Sequence, residues 1–109
     1  MFEVYQSEAN QKYHFRLKAG NGEIILTGQG YAAKVDCLNG VESVKKHCAE
    51  ADRFEAQDAS DGRRYFTLKA ANGQVIGQSQ MYKSESGLQN GIESVRKNAP
   101  GAEVHELSS

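Results

Sequence analysis

Residues 39–46 read NGVESVKK, and residues 90–97 read NGIESVRK. The same offset of 51 residues aligns the chain with itself without a gap from residue 15 to residue 48, with fifteen identities in thirty-four positions. Self-similarity at a fixed spacing is the mark of a structural unit that occurs more than once. The sequence therefore predicts a chain built from two copies of one small unit.

Each copy begins with a strand pattern. Residues 13–19 (YHFRLKA) and, apart from its first residue, 64–70 (RYFTLKA) alternate apolar and polar side chains, which is typical of a strand with one buried face. Asn21-Gly22 and Asn72-Gly73 follow, and Asn-Gly favours a hairpin because both residues tolerate positive φ. We expect return strands at 23–29 and 74–80, pairing of 2–6 with 13–19, and a further hairpin at Asp61-Gly62 that joins 53–57 to 64–70.

The spacing of apolar residues then changes to that of a helix. The apolar positions follow i, i+4, i+7 and i+11 in both copies, namely Cys37, Val41, Val44 and Cys48, then Leu88, Ile92, Val95 and Ala99. This pattern predicts one amphipathic helix in each copy. Ser84 is the expected N-cap of the second helix, Pro100-Gly101 ends it, and a short strand at 102–106 follows.

Gly40 and Gly91 break the helix pattern, since glycine inside a helix costs about 1 kcal/mol relative to alanine. Three interpretations are open. The helix backbone approaches the sheet closely at these positions, which we favour; or the glycines leave a recess for a ligand; or each helix begins only after its glycine.

These elements predict an α+β fold in which two tandem β3-α-β repeats share one mainly antiparallel sheet, with two helices packed on one face. The single domain spans 1–109, with repeat one at about 1–57 and repeat two at about 52–109. The shared strand at 52–57 closes the first copy, opens the second and is expected to join them. The expected core is Phe15, Leu17, Ile24, Leu26, Val41 and Val44, with Phe66, Leu68, Val75, Ile92 and Val95.

Length, charge and hydropathy limit the classes of function. The chain has 109 residues and a net charge of −1, which gives no overall attraction to nucleic acid or to anionic lipid. The longest aliphatic run is residues 24–26, far short of the ~20 residues that span a bilayer. Residues 1–5 lack a basic region followed by an apolar stretch, so we expect no secretory signal and a cytoplasmic location.

The two cysteines, Cys37 and Cys48, are expected to be core residues. Eleven residues along one helix separate their Cα atoms by ~16 Å, too far for a disulfide. Their counterparts in the second copy are Leu88 and Ala99, which can replace a packing group but not a thiolate. Free buried thiols suit a reducing compartment.

The repeated motifs resemble the YegP-like family of small bacterial proteins. Gly30-Tyr31 with Lys34, followed by 39–46, has the family's form, while the second copy keeps Tyr82 but has Met81 and Glu85 in place of the glycine and the lysine. The resemblance covers nearly the whole chain and implies β3-α-β units in one sheet with exchange of the terminal strands. It implies no activity, substrate or cofactor. A site that needs the glycine and the lysine is expected in the first copy alone.

Three weaker patterns give no cofactor or metal site. Residues 28–33 (GQGYAA) match a dinucleotide fingerprint, but that fingerprint works in a parallel βαβ unit and these strands are hairpin-linked. Residues 58–62 (DASDG) lack the distal glutamate and flanking helices of a calcium loop. His14, His47 and His105 are widely spaced. We therefore expect neither a cofactor nor catalysis.

Two surfaces remain as candidates. The helix patch comprises the polar residues repeated on the two helices, Asn39, Glu42, Ser43 and Lys46 with Asn90, Glu93, Ser94 and Lys97, and is expected to bind a protein partner. Its plain alternative is helix-surface bonding, with Glu42–Lys46 and Glu93–Lys97 as i,i+4 pairs. The open sheet face, with His14, Arg16, Lys18, Arg53, Tyr65 and Lys69, is the alternative site and would bind single-stranded nucleic acid. Its plain alternative is the polar, solvated face that such a sheet usually has. An enzyme is the third class, and oligomeric state is not predicted.

Overall fold

The computed structural model describes residues 1–107, so the last two residues of the predicted domain lie outside the described part. Its elements in chain order are the strands β1 (Phe2–Gln6), β2 (Tyr13–Lys18) and β3 (Ile24–Thr27), the helix α1 (Lys34–His47), a 3₁₀ turn at Ala51–Arg53, the strands β4 (Phe54–Asp58), β5 (Arg64–Lys69) and β6 (Val75–Gln78), the helix α2 (Glu85–Asn98) and the strand β7 (Val104–Glu106). Every predicted element is present. The return strands and β7 are shorter than expected.

Over the described residues the strands form one sheet in the order β4-β5-β6-β3-β2-β1-β7. All neighbouring pairs are antiparallel except β1 and β7, which are parallel. The last strand of the chain therefore leaves the second copy and pairs with the first. The family resemblance implies an exchange of terminal strands, and the structure has it in one direction: β7 crosses to the first copy, whereas β4 pairs with β5 of its own copy.

Strand pairing repeats from one copy to the other. Phe2 pairs with Leu17 as Phe54 pairs with Leu68, and both copies have a bulge near the end of the second strand, between Leu17 and Lys18 and between Leu68 and Lys69. The two copies therefore share the same strand register. A slip of one residue would have moved every side chain of a strand to the opposite face of the sheet.

The two copies are joined at β3 and β6, where Thr27 pairs with Gln78. The expectation that the middle segment joins them is wrong: β4 pairs with β5 and lies at the far edge of the sheet. The 3₁₀ turn before β4 explains why. Phe54 donates its N–H to the Ala51 carbonyl, whereas the equivalent Phe2 donates to the carbonyl of Glu103, the residue before the exchanged strand β7, at 2.8 Å. The assignment of residues 52–57 to both copies stays a prediction.

The hairpins differ in detail from a two-residue Asn-Gly turn. Only the glycine has positive φ, 85° at both Gly22 and Gly73, while the preceding asparagine does not. Asn21 Oδ1 accepts from the Glu23 N–H at 3.0 Å, and Asn72 Oδ1 accepts from the Gln74 N–H at the same distance. Asparagine thus acts through its side-chain acceptor, and glycine supplies the left-handed conformation.

One core lies between the sheet and the two helices. Nine of the eleven predicted core residues are buried there, and Phe2, Val4, Cys37, Cys48, Leu88 and Ala99 join them. The prediction is wrong for Ile24 and Val75, which are only half-buried, because the bulges place them opposite Lys18 and Lys69 on the open face. Ile25 and Ile76 are buried instead.

Candidate interaction surfaces

The helix patch is presented to solvent by both helices. Asn39, Glu42 and Lys46 are exposed on α1, and their counterparts Asn90, Glu93 and Lys97 are exposed on α2. Ser43 and Ser94 are half-buried at the inner margin. Both helices cover the same face of the sheet, so the two halves of the patch lie on the same side of the molecule.

The predicted i,i+4 ion pairs are not those that the structure has. Among residues 1–107, the ion pair on this surface joins Arg96 to Glu93 at 3.0 Å. Arg96 also donates to the Ala49 carbonyl at 3.1 Å, so its side chain is drawn towards the end of α1. Glu42, Lys46 and Lys97 therefore keep their charges without a partner in the described chain.

Sequence reasoning missed a role of His47. His47 Nδ1 lies 2.8 Å from the Ser43 carbonyl, and Nε2 accepts from the Ala71 N–H at 3.3 Å. The histidine thereby connects α1 to the β5–β6 hairpin of the other copy. Its counterpart Asn98 donates to the Ser94 carbonyl at 2.7 Å. The signal in the sequence was that His47 and Asn98 occupy equivalent positions in the two copies. Both side chains can hydrogen-bond to the preceding helical turn.

Tyrosine side chains account for the glycines in the helices. A Cβ atom on Gly40 would lie 2.5 Å from the Tyr31 hydroxyl oxygen, and one on Gly91 would lie 2.3 Å from that of Tyr82. Each tyrosine ring stacks on a core phenylalanine, Phe15 or Phe66. The predicted close approach is thus made by a tyrosine rather than by the sheet backbone. The late helix start is wrong, since both helices begin six residues earlier.

On the first-copy part of the open sheet face, the positive charges of Arg16 and Lys18 are paired with the carboxylate of Glu3. Glu3 accepts from Arg16 Nε at 2.6 Å and lies 3.2 Å from Lys18 Nζ. Arg16 also lies over the Tyr5 ring, which stacks on His14 with ring centres 5.7 Å apart. The arginine hydrogen bond holds the pKa of Glu3 below its usual range against the opposing effect of burial, and Lys18 adds to the lowering.

The second-copy part is separate and also paired. Lys69 Nζ lies 2.8 Å from Glu55, which repeats the Glu3–Lys18 pair. Tyr65 is half-buried on the same strand, β5, opposite Gln57. Two strands separate β5 from β2, so the two basic groups are about 14 Å apart across the sheet. Arg53 is not on this face: it lies in the 3₁₀ turn and pairs with Glu50 at 2.5 Å.

Lys34 and Glu85 occupy equivalent positions at the starts of the two helices. They carry opposite charges, so each pairs with a residue of the other sign. Lys34 pairs with Glu106 of the exchanged strand β7, and Glu85 pairs with Arg64. A cavity of about 270 Å³ beside Lys34 is bounded by Tyr5, Tyr13 and Leu107, among others. The family's lysine thus tethers β7 to α1.

The two cysteines are free and fully buried, as their place in the helix pattern predicts. Burial raises the pKa of the Cys37 thiol to about 11, and it also raises that of Cys48. Both are therefore thiols at neutral pH. Within the described range there is no group of three histidine, cysteine or acidic residues arranged to hold a metal ion.

The candidate dinucleotide segment is explained by packing. A Cβ atom on Gly28 would lie 2.2 Å from the Phe15 ring, so a side chain has no space there. The Gly28 N–H donates to the Phe15 carbonyl at 2.9 Å and continues the antiparallel pairing of β3 with β2. The parallel βαβ geometry that the fingerprint requires is absent from this part of the chain.

One family model matches the chain twice, over residues 8–55 and 59–106, and its description is "Domain of unknown function (DUF1508)". The chain belongs to this family. The two matches differ by the same 51 residues as the internal repeat. Its relatives include the UPF0339 protein in the ptx operon 5′ region of Stutzerimonas stutzeri, which is 47% identical over 108 residues that cover 99% of this chain and 96% of that one.

UPF0339 protein YegP of Escherichia coli K12 is 44% identical over 105 residues, covering 96% of this chain and 94% of its own. The fold is that of two solution NMR structures. UPF0339 protein SO3888 from Shewanella oneidensis has a TM-score of 0.91 at 42% identity, over 98% of this chain and 90% of that one. The protein of unknown function yegP from E. coli has a TM-score of 0.88 at 41% identity, over 99% of this chain and 92% of that one. Across residues 1–107, no helix is both long and apolar enough to cross a bilayer.

Proposed function

We propose that the protein is a non-catalytic interaction module that binds a protein partner through the helix patch. The observation that carries this proposal is the pair of exposed asparagines, Asn39 and Asn90. Each lies inside a helix, where asparagine costs up to ~0.7 kcal/mol relative to alanine. Within residues 1–107 neither side-chain amide makes a hydrogen bond, so the intramolecular structure offers nothing in return for that cost.

The charges around these amides support the same proposal. Glu42, Lys46 and Lys97 are exposed and make no ion pair in the described chain, so their charges are available to a partner. The two helices already fix the backbone that carries these groups, so binding orders only their side chains, at about 0.5–1.5 kcal/mol each. The buried, free thiols support a reducing compartment, and we place the protein in the cytoplasm.

Replacement of both asparagines tests the proposal. Tagged wild-type protein and an Asn39→Ala/Asn90→Ala variant are used to capture partners from a bacterial lysate, and captured proteins are compared by quantitative mass spectrometry. The variant should lose the partner while its melting temperature stays equal or rises slightly. Gln78→Ala, which removes an exposed amide from the opposite face of the sheet, is the matched control. Equal capture by all three proteins would refute the role of the patch.

Single-stranded nucleic-acid binding on the open sheet face is the second candidate, and the stack of His14, Tyr5 and Arg16 favours it. The bases of single-stranded nucleic acid stack on aromatic side chains, and a neighbouring arginine adds a cation–π contact. The ion pairs to Glu3 and Glu55 count against it, because they oppose phosphate binding. Gel retardation of a short oligonucleotide at low salt that is lost in an Arg16→Glu/Lys18→Glu/Lys69→Glu variant would support it. No retardation would exclude it.

A further inference from the structure

An open cleft lies between the second helix and the first copy's hairpin. Its volume is about 190 Å³. Polar residues from both copies form its walls, with Asn21 and Glu23 from the β2–β3 hairpin, Gln80 and Tyr82 from the segment after β6, and Asn90 and Ser94 from α2. Two of these residues belong to the helix patch, so the cleft adjoins the α2 half of that surface.

The cleft contains a carboxylate without a positive partner. Gln80 Nε2 donates to Glu23 Oε1 at 2.8 Å, and no cationic nitrogen among residues 1–107 forms an ion pair with Glu23. Burial raises the pKa of the Tyr82 phenol, and the Glu23 charge adds to the rise, which is consistent with the carboxylate facing the tyrosine. The cleft therefore has a carboxylate whose charge no cation in the described chain neutralises.

The equivalent position on the other side of the molecule differs in where its carboxylate lies and in a bridging hydrogen bond. Gln74 takes the place of Glu23, while Asp36 takes the place of Gly87. Burial raises the pKa of the Tyr31 phenol, and the neighbouring Cys37 and Asp36 add to the rise. Gln29, the counterpart of Gln80, donates to the Val75 carbonyl at 2.8 Å. The His47–Ala71 hydrogen bond then ties α1 to the β5–β6 hairpin. The pseudo-symmetric fold thus has one open cleft with Glu23 on its wall, and a counterpart that is bridged by His47 and has Asp36 in place of Gly87.

We propose that the acidic cleft binds the cationic side chain of a lysine or arginine from a protein partner. An ammonium has three hydrogen-bond donors and a guanidinium has five, with no acceptor, so both complement a carboxylate that has no positive partner. Because Glu23 is exposed, solvent and salt screen the charge pair, and we expect each such contact to be weak. That the cation belongs to a protein rests on the proposed function, in which a protein partner binds the helix patch.

Small probes test the cleft without knowledge of the partner. Nα-acetyl-lysine methylamide and Nα-acetyl-arginine methylamide are titrated into ¹⁵N-labelled protein at millimolar concentrations, with the neutral Nα-acetyl-norleucine methylamide as control. The two cations should shift the NMR signals of Asn21, Glu23 and Asn90, and added salt should weaken the effect. The norleucine compound should leave these signals unchanged. Equal shifts from all three probes, or none from the cations, would overturn the proposal.

Two single substitutions at the equivalent positions 23 and 74 give matched variants, one that removes the carboxylate and one that adds a carboxylate in the other copy. Glu23→Gln should abolish the shifts at the cleft, and Gln74→Glu should leave them unchanged. Both substitutions are at exposed positions, and an unchanged spectrum elsewhere shows that each variant is folded. Shifts that persist in Glu23→Gln would contradict the assignment of the carboxylate.

The outcomes separate this proposal from the function on which it builds. If the probes fail to bind but the double asparagine variant loses its partner, the cleft proposal is wrong and the helix patch stands. If the probes bind in a Glu23-dependent way but the asparagine variant keeps its partner, the cleft stands as a cation site and the patch does not. Loss of the same partner in Glu23→Gln, but not in Gln74→Glu, would support both.

Discussion

The Leu26 side chain fills the space that a side chain at Gly77 would need. These two residues occupy equivalent positions in the two copies, and a Cβ atom on Gly77 would lie 2.8 Å from Leu26 Cδ2. They meet because β3 and β6 pair with each other at the junction of the copies. An exact duplication would place two leucines in one space, so the junction requires that the copies differ here.

This relationship predicts the effect of Gly77→Ala. Overpacking of a core position costs about 1–3 kcal/mol of the free energy of unfolding, even though alanine is otherwise preferred to glycine in a strand. Leu26→Ala leaves a cavity and destabilises by about 2–5 kcal/mol. Because each change relieves the other, the double variant should be more stable than the sum of the two effects by at least ~0.5 kcal/mol. Urea denaturation of all four proteins measures this coupling, and strict additivity would contradict it.

The contact between Gly91 and Tyr82 gives a second prediction. Gly91→Ala would place its Cβ 2.3 Å from the Tyr82 hydroxyl oxygen and should lower the free energy of unfolding by about 1–3 kcal/mol. In a Tyr82→Ala background the same substitution should raise it, by up to ~1 kcal/mol, since alanine is the better helix former. Thermal or urea unfolding reads both effects. The same sign in both backgrounds would show that the tyrosine is not the reason for the glycine.

The buried Glu3 predicts a stability change in acid. Its pKa is lowered in the folded protein chiefly by the hydrogen bond from Arg16, so ionised Glu3 stabilises the fold at pH values above its unfolded pKa. This stabilisation is lost as the pH falls below about 4.5 and through the lower folded pKa. Glu3→Gln should therefore flatten the dependence of the free energy of unfolding on pH in that interval.

The matched control for Glu3 is its counterpart Glu55. Lys69 lowers the pKa of Glu55 as well, but that carboxylate is about half exposed, whereas the Glu3 side chain is 8% exposed under two cations. Solvent screens the exposed pair more strongly, so Glu55→Gln should change the acid profile less than Glu3→Gln. The reverse order would contradict the assignment of the effect to the covered pair.

The cysteines predict a reactivity that depends on unfolding. Cys37 and Cys48 are fully buried, and burial raises the pKa of both thiols, so little thiolate is present or accessible at neutral pH. A disulfide reagent such as dithionitrobenzoate should react slowly with the native protein and rapidly with both thiols in urea. A fast native reaction of either cysteine, followed spectrophotometrically and located by mass spectrometry, would contradict the core assignment.

Much of the fold could be predicted from local pattern. The strand alternation, the helical spacing from Cys37 and Leu88, and the Ser84 cap are all found, with the cap accepting from the Gly87 N–H at 3.1 Å. The exposed positions of the helix patch followed from the same spacing. The errors at Ile24 and Val75 have a local cause, because a bulge changes which side chain faces the core and leaves no simple signature in the alternation.

The candidate sites could be predicted only in part. Asn39 and Asn90 lie exposed where the helix pattern places them. The pairing of Arg16 and Lys18 with Glu3, the bridge from His47 to Ala71, and the cleft around Glu23 were not predictable. Each of these joins residues from different elements, and their proximity depends on which strands and helices become neighbours.

By itself the sequence determined the unit: two copies of a strand-hairpin-helix pattern, with the face of each element set by the period of its apolar residues. Only the tertiary structure decided how the units combine, with β3 against β6, β7 crossing to β1, and β4 left at an edge. The physical reason is that periodicity acts over a few residues, whereas strand order is set by how distant side chains share one core, as Leu26 and Gly77 do.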